Sequence, residues 1–579
     1  MDTAKEVYFN HMAALRSACA EALAEAAAKA GFADVPKSAE LAASLEYPPG
    51  PAMGDLALPC FKLSKVLRRA PPEIAAALAE HFQSDALTAA PAGGFLNFKI
   101  ADDQLIEAVA DINRAGFGYG ASDAYSGKTA VLDYSAPNIC KPFHRGHLRS
   151  TVIGNSINLI LKFVGYKTVS IDYLGDWGVQ FGKMIVAYKR WGDTVDIERD
   201  GVNALVKIYT RFHEEAKENP ALDDEARSCF KALESGDPEA VELWSRFRRI
   251  SIDELMRSYA RMGIEFDSYN GEAFYNDKMQ PVVDELKADG LLKLDQGAMV
   301  VDLSEWNMPP CLILKRDGAT LYPTRDIASA LYRKREYNFD RAIYLTEAKQ
   351  SLHFRQWMKV VELMGYEWVR NISHITFGTV TVDGQPLSTR EGNMVLLEDI
   401  FNEAVGKVAA VIEQKNPGLP NKAEVAEKVG IGAIVFSDLK NNRERDVDFN
   451  WDDALNFDGN TGPYVQYTYA RACSVLSRAG GRGAACAAQF GDALERELAA
   501  ALIRFPDAVL DAYDKLEPSV ISRCLLDLCA VFNRFYHDCP ILRAATPELV
   551  ELRLRLTEAA RYTLGAGMRL IGLALLESI

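Results

Sequence analysis

Apolar positions along the chain change period several times, and those changes outline its elements. The run "TAVLDYS" from Thr129 is continuously apolar over one strand length and predicts a buried strand. Downstream, "LRSTVIGNSINLILKFVG" repeats its apolar residues at helical spacing and predicts an amphipathic helix ending at Gly165, and "YKTVSIDYL" predicts the next strand. Strand, loop, helix, strand is a βαβ unit, which implies a parallel sheet whose ligands bind beyond the strand C-termini. Strand-like segments return in "CLILKRDGATLYPT", "RAIYLT" and "HITFGTVTV". From Lys189 to about Asp295 the pattern is charged and helical, as expected of an insertion between the halves of the sheet. The first 115 residues open with Ala-rich helical patterns, pass through the loop "EYPPGPAMGD" and close on the strand-like "GGFLNFKI". "AGFGYGASDAYSGK" follows as a linker. From about Asn402 helical patterns dominate to the end.

Composition refines this outline. A length of 579 residues calls for roughly three or four cores, and 49% apolar with 25% charged residues is ordinary globular material. No run is long enough to span a bilayer, and the acidic N-terminal stretch lacks a secretory core, so a cytoplasmic protein without membrane contact is expected. The ten cysteines include no C-x-x-C pair, so neither a zinc site nor a disulfide framework is expected. The net charge of -15 lies entirely upstream of Thr461, because the remainder balances 13 Lys+Arg against 13 Asp+Glu. Twelve of those 13 cations are arginines, the residue suited to phosphates and base stacking, so a local RNA-binding patch is compatible with the acidic whole.

The junction between the first strand and helix reads "NICKPFHRGH". A helix start presents unpaired N–H groups and the positive end of the dipole, which favour anions. Gly146 would let a ligand approach the backbone, His144 and His147 could donate to phosphate oxygens, and Lys141 adds a cation.

In full, "SAPNICKPFHRGHLRST" resembles the first signature of class I aminoacyl-tRNA synthetases, in the form typical of arginyl-tRNA synthetases. The resemblance continues in order through "LGDWGVQFG", "LYPTRDIA", "LTEAKQSLHFRQ", "PLSTREG" and "GPYVQYTYARACSVL", and "GDLALPCFKLSKVL" with "GFLNF" is similar to that family's additional N-terminal domain. It implies an α/β protein with three parts: an N-terminal α+β domain at 1–115 contacting the tRNA elbow, a Rossmann-like parallel-sheet catalytic domain at 125–455 with its helical insertion around 190–295, and a C-terminal α-helical bundle for the anticodon at 456–579. It further implies that arginine is activated by ATP, with Mg2+ accompanying the triphosphate, and then transferred to the terminal adenosine of tRNA. A monomer is expected.

Carried over by motif, the phosphate-handling set is Lys141, His144, Gly146 and His147 with Ser388, Thr389 and Arg390 of the second signature loop. The arginine pocket is Asp133, Asn138, Tyr322, Asp326 and Gln350. Tyr322 and Asp326 stand four apart and face the same way on a helix, with Asp326 expected in its first turn under the dipole. Two departures stand out. The family usually has glutamate where this chain has Asp133, and "GQPLSTREG" lacks the lysines of the usual second loop, a loss we expect Lys141 to offset. Lys183, Arg325, His353 and Arg355 read as solvated or structural charges. In the bundle, Tyr464, Gln466, Tyr469, Arg471, Asn533 and Tyr536 are candidates for base contact, mixed with packing residues. A non-catalytic RNA-binding relative would have no reason to keep the whole pocket set, and a small-molecule adenylyltransferase would leave the helical C-terminal third without a purpose.

Overall fold

The computed structural model describes residues 10–141, 143–382, 385–386, 396–480 and 485–579. They form two compact units. One takes residues 124–417 and 421–456, and the other takes the described residues up to Asp123, residues 418–420 and 457–579.

The first unit is built on four parallel strands. Strand β1 (Thr129–Asp133) leads through helix α1 (Arg145–Phe163) to β2 (Lys167–Ile171). After the insertion, helix α2 (Tyr322–Tyr337) precedes β3 (Arg341–Glu347), and α3 (Ser351–Leu363) leads to β4 (Ile372–Phe377). The sheet order is β4-β3-β1-β2. The direction in which successive strands are added therefore reverses between β1 and β3, and the cleft at such a switch point is where open parallel sheets bind ligands. The central strands are buried from Ala130 to Asp133 and from Ala342 to Leu345, as parallel strands covered on both faces must be. Val131, Ala342 and Tyr344 of the sheet pack with Trp357 and Val360 of α3.

Three details differ from the pattern reading. Helix α1 begins at Arg145 and is buried on nearly every side, so it is a core helix rather than an amphipathic one. Its two arginines find their partners internally: Arg145 and Arg149 both face the buried Asp438, at 3.4 and 3.3 Å, and Arg149 also donates to the carbonyls of Arg443 and Arg445. Gly154 belongs to this close packing, since a Cβ there would stand 2.2 Å from the Tyr134 ring. Secondly, the strand Cys311–Leu314 lies outside the main sheet, in an antiparallel sheet with Leu292–Asp295 and Ala298–Val301. Thirdly, "HITFGTVTV" is split: Val380–Val382 leaves the main sheet to pair with Val447–Phe449. The insertion itself is mostly helical: the long helix Pro238–Met262 is followed by the helix Met279–Ala288 before the strand Leu292–Asp295.

In the second unit, a three-stranded antiparallel sheet (Leu56–Pro59, Leu87–Ala92, Phe95–Ile100) packs with N-terminal helices, giving the α+β part. Among the described residues, five α-helices follow from Gly462–Arg478 to Pro547–Leu570. The two parts are joined by charge: Arg496 meets Asp55 at 2.6 Å, and Tyr47 donates to Asp507 at 2.8 Å.

Candidate active site

The loop from β1 to α1 is strained, with Ser135, Ala136 and Cys140 at φ 71°, 47° and 60°. Such backbone persists only where its surroundings hold it. The Ser135 N–H donates to Ser150 Oγ at 3.1 Å, and the Ala136 N–H donates to Asp172 Oδ1 at 3.1 Å. Tyr259 donates to the other oxygen of Asp172 at 2.8 Å. Asp172 is fully buried, and burial pushes its carboxyl up to about 8. The "LGDWG" turn clamps the rest of the loop: Gly175 donates to the Pro137 carbonyl at 3.0 Å and accepts from Ile139 at 3.3 Å.

The loop delivers His144 as the N-cap of α1. Its Nδ1 accepts from the Gly146 N–H at 3.1 Å, and His147 Nδ1 accepts from the His144 N–H at 3.4 Å. Each neutral ring must then carry its proton on Nε2, so both imidazoles have that N–H to offer. Burial holds both below the ordinary histidine range, with Lys141 adding to the effect on each. A Cβ at Gly146 would stand 2.9 Å from the His144 ring, so this glycine makes room for the imidazole as well as for a ligand.

Opposite stands an acidic wall. Asp133, at the end of β1, faces Arg333 Nη1 at 2.6 Å, an ion pair whose N–H groups point off the line to the carboxylate. The Arg333 guanidinium is buried over the rings of Tyr173 and Tyr344, at 5.2 and 5.3 Å. Glu272, from the insertion, faces Arg325 at 3.0 Å, and burial pushes it up to about 7. Asp326 Oδ2 lies 2.5 Å from His353 Nε2. It is the fifth residue of α2, beyond the first turn, so the dipole support expected for it is lacking and the imidazole is its neighbour instead.

These groups enclose a cavity of about 560 Å³. Of the residues expected there, Asp133, Asn138, Tyr322, Asp326 and Gln350 line it together with His144, Gly146 and His147. Lys141 is exposed and stands outside the lining. Ser388, Thr389 and Arg390 lie outside the described residues. Glu272, Tyr173 and His353 line the cavity without having been expected, and Arg333 supports it from behind. No local pattern marked Glu272, whereas His353 stood inside the quoted "LTEAKQSLHFRQ" and was read there as a neutral charge. Lys183 pairs with Asp223 at 2.9 Å and Arg355 is exposed, in line with the neutral reading of both.

The far end of the second loop is tied to the first signature. Leu397 donates to the Phe143 carbonyl at 3.0 Å, and Leu396 bridges His144. Glu398 is then held by Ser258 at 2.8 Å and by Arg261, both from the insertion's long helix. Among the described residues, no three His, Cys, Asp or Glu side chains converge as a metal site, and no helix is long and apolar enough to cross a membrane.

In the helical bundle, the structure sorts the candidates for base contact. Gln466 and Tyr469 are buried packing residues. Arg471 lies over the exposed rings of Tyr467 and Tyr536, at 4.9 and 4.8 Å, and donates to Asn533, which in turn donates to Tyr464 at 3.1 Å.

Three family profiles match the chain in order: the arginyl tRNA synthetase N terminal domain over residues 14–100, the class I (R) tRNA synthetase catalytic domain over 116–451, and the DALR anticodon binding domain over 465–579. An arginine–tRNA ligase of Alkaliphilus metalliredigens is 49% identical over 92% of this chain and 95% of its own length. One from Clostridium perfringens is 47% identical over 92% and 96%. Among solved structures, the Thermus thermophilus arginyl-tRNA synthetase superposes with a TM-score of 0.82 at 27% identity, covering 98% of this chain and all of that one.

Proposed function

Because the chain belongs to the class I arginyl-tRNA synthetase family, we propose how its own residues divide the work of charging tRNA with arginine. The reaction has two steps. The arginine carboxylate oxygen attacks the α-phosphorus of ATP, the bond to the bridging oxygen breaks, and pyrophosphate leaves. A ribose hydroxyl of the terminal adenosine then attacks the acyl carbon, and AMP leaves. No covalent enzyme intermediate is needed, so the protein contributes positioning and charge stabilisation.

His144 and His147 donate from Nε2 to the phosphate oxygens at the start of α1. Being neutral, they strengthen these hydrogen bonds as charge develops without repelling the incoming cationic substrate. Asp326 and Tyr322 grip the guanidinium, with Glu272 closing the same side. Asn138, Gln350 and the Arg333-paired Asp133 hold the α-amino and carboxylate end. Lys141 supplies a cation for the departing pyrophosphate, a role supported by its influence on both imidazoles. Ser388, Thr389 and Arg390 approach the same phosphates. Mg2+ enters with ATP as part of the substrate and neutralises the triphosphate.

The three parts at 1–115, 125–455 and 456–579 serve the tRNA elbow, the chemistry and the anticodon, and the enzyme works as a cytoplasmic monomer. The observation that carries this reading is the single cavity with paired imidazole donors on one side and carboxylates on the other. Pyrophosphate exchange with arginine and ATP, run with and without tRNA, tests it: exchange that depends on arginine and tRNA is expected. Exchange equally fast with lysine would remove the acidic wall as the selector.

A further inference from the structure

Asp326 differs from the other carboxylates of the cavity in what stands beside it. Asp133 faces Arg333 at 2.6 Å, Glu272 faces Arg325 at 3.0 Å, and Glu347 pairs with Lys349. Each of those partners is a cation at neutral pH. Asp326 is met by an imidazole, with His353 Nε2 at 2.5 Å from Oδ2. A carboxylate opposite a guanidinium or ammonium group already has its partner, whereas the imidazole meets Asp326 at a single oxygen, Oδ2, and leaves Oδ1 to a ligand. Of the four carboxylates lining the described cavity, Asp326 is thus the one without an arginine or lysine beside it, and so the one placed to take the guanidinium of an arginine side chain.

The imidazole is itself firmly placed. His353 is the third residue of α3, and its ring meets Phe354 edge-on at 5.7 Å. Phe354 lies flat on His374 at 4.1 Å, and His374 Nε2 meets Thr346 Oγ1 at 2.8 Å. A carboxylate accepts only, so the nitrogen 2.5 Å from it carries the proton.

We propose that His353 is a positioning residue for amino-acid selection: its Nε2–H fixes Asp326 Oδ2, orienting the carboxylate toward the guanidinium while leaving Oδ1 to accept from it. The proposal rests on Asp326 being the guanidinium anchor. Since Asp326 lies beyond the first turn of α2, the unpaired N–H groups of the helix start do not do this work.

The test is tRNA charging by the full chain, titrating arginine at saturating ATP and tRNA. Removal of a charge-assisted hydrogen bond predicts that His353→Phe raises the arginine KM by about tenfold or more, with kcat and the ATP KM little changed. His353→Gln, which keeps a donor of similar reach, restores most of the affinity. In an Asp326→Asn background, His353→Phe adds nothing further, because the two act as one unit. A wild-type arginine KM in His353→Phe, or a full additional loss on top of Asp326→Asn, overturns the proposal. An unchanged arginine KM in Asp326→Asn alone would instead remove the anchor itself, so the two failures are told apart. If Phe at 353 lowers the melting temperature, His353→Asn replaces it: its amide is too short to reach Oδ2, and the same rise in arginine KM is expected.

Discussion

His144 and His147 stack with ring centres 3.9 Å apart, and each gives its Nδ1 to a backbone N–H at the start of the same helix. One nitrogen of each ring is structural and the other is left for a ligand. The two roles of His144 can be separated by substitution. His144→Asn keeps a side-chain oxygen able to cap Gly146 but has nothing in place of Nε2. Its melting temperature should stay near wild type while kcat for charging falls about 10²–10³-fold, the usual cost of losing one preorganised donor. His144→Ala should lose the rate and about 1 kcal/mol of stability together. Equal activity in His144→Asn and wild type would show that this ring only caps the helix.

Lys141 influences both imidazoles through its charge, adding to the burial that holds them below the histidine range. The active rings are neutral, so activity is lost as pH falls through their lowered values. Native-state stability from them follows the same sign, being present above the ordinary value near 6.5 and lost as they are forced to charge. Lys141→Met removes a positive charge, raises both values, and should move the acid limb of the kcat/KM profile toward higher pH. It should also slow adenylate formation by orders of magnitude if this lysine offsets the missing loop cations. A slower enzyme with an unmoved acid limb would place the Lys141 charge too far from the rings to matter.

Asp133 and Arg333 form a buried pair between strand and helix, 200 residues apart in sequence. Breaking such a pair from one side leaves a carboxylate that burial already pushes toward its neutral form. Arg333→Met should therefore destabilise the fold by about 3 kcal/mol, measured by urea unfolding. The double variant Asp133→Asn with Arg333→Met should recover a large part of that loss, since no buried charge remains. A double variant no more stable than Arg333→Met would mean that packing against Tyr173 and Tyr344, not charge, sets the cost.

The βαβ unit and the loop with His144, Gly146 and His147 were legible because short-range patterns encode them, apolar periodicity and a helix start, whereas Asp133, Asn138, Tyr322, Asp326 and Gln350 were legible only through the resemblance of their motifs to the family. What pairs with them was not. Arg333 looks like any cation on a helix that reads "LYRKREY", and its burial depends on Tyr173, from the segment after β2, and on Tyr344 of β3. Glu272 comes from the insertion, whose local pattern carries no hint of the sheet it returns to. Arg145 and Arg149 gave α1 an apparent polar face, yet Asp438, nearly 300 residues on, buries them both. Periodicity reports polarity; it cannot report that a charge has found its partner inside.

The same limit held in the bundle, where the pattern offered six base-contact candidates and burial divides them. Tyr469 is buried and Tyr536 is 39% exposed, with Arg471 lying over the Tyr536 ring at 4.8 Å. An exposed aromatic beside a guanidinium is a surface on which an unstacked base can lie, and such stacking is worth about 1–3 kcal/mol per base. Tyr536→Ala should accordingly weaken tRNA binding by about tenfold or more, with the arginine KM and the melting temperature unchanged. Tyr469→Ala should do the reverse in part, lowering stability by about 3 kcal/mol through the cavity it leaves. Filter binding of tRNA and thermal unfolding of the two variants read these effects independently. If Tyr536→Ala bound tRNA as tightly as wild type, the Arg471 cluster would be a surface ornament of the helix packing, and the anticodon would have to be read elsewhere on the bundle.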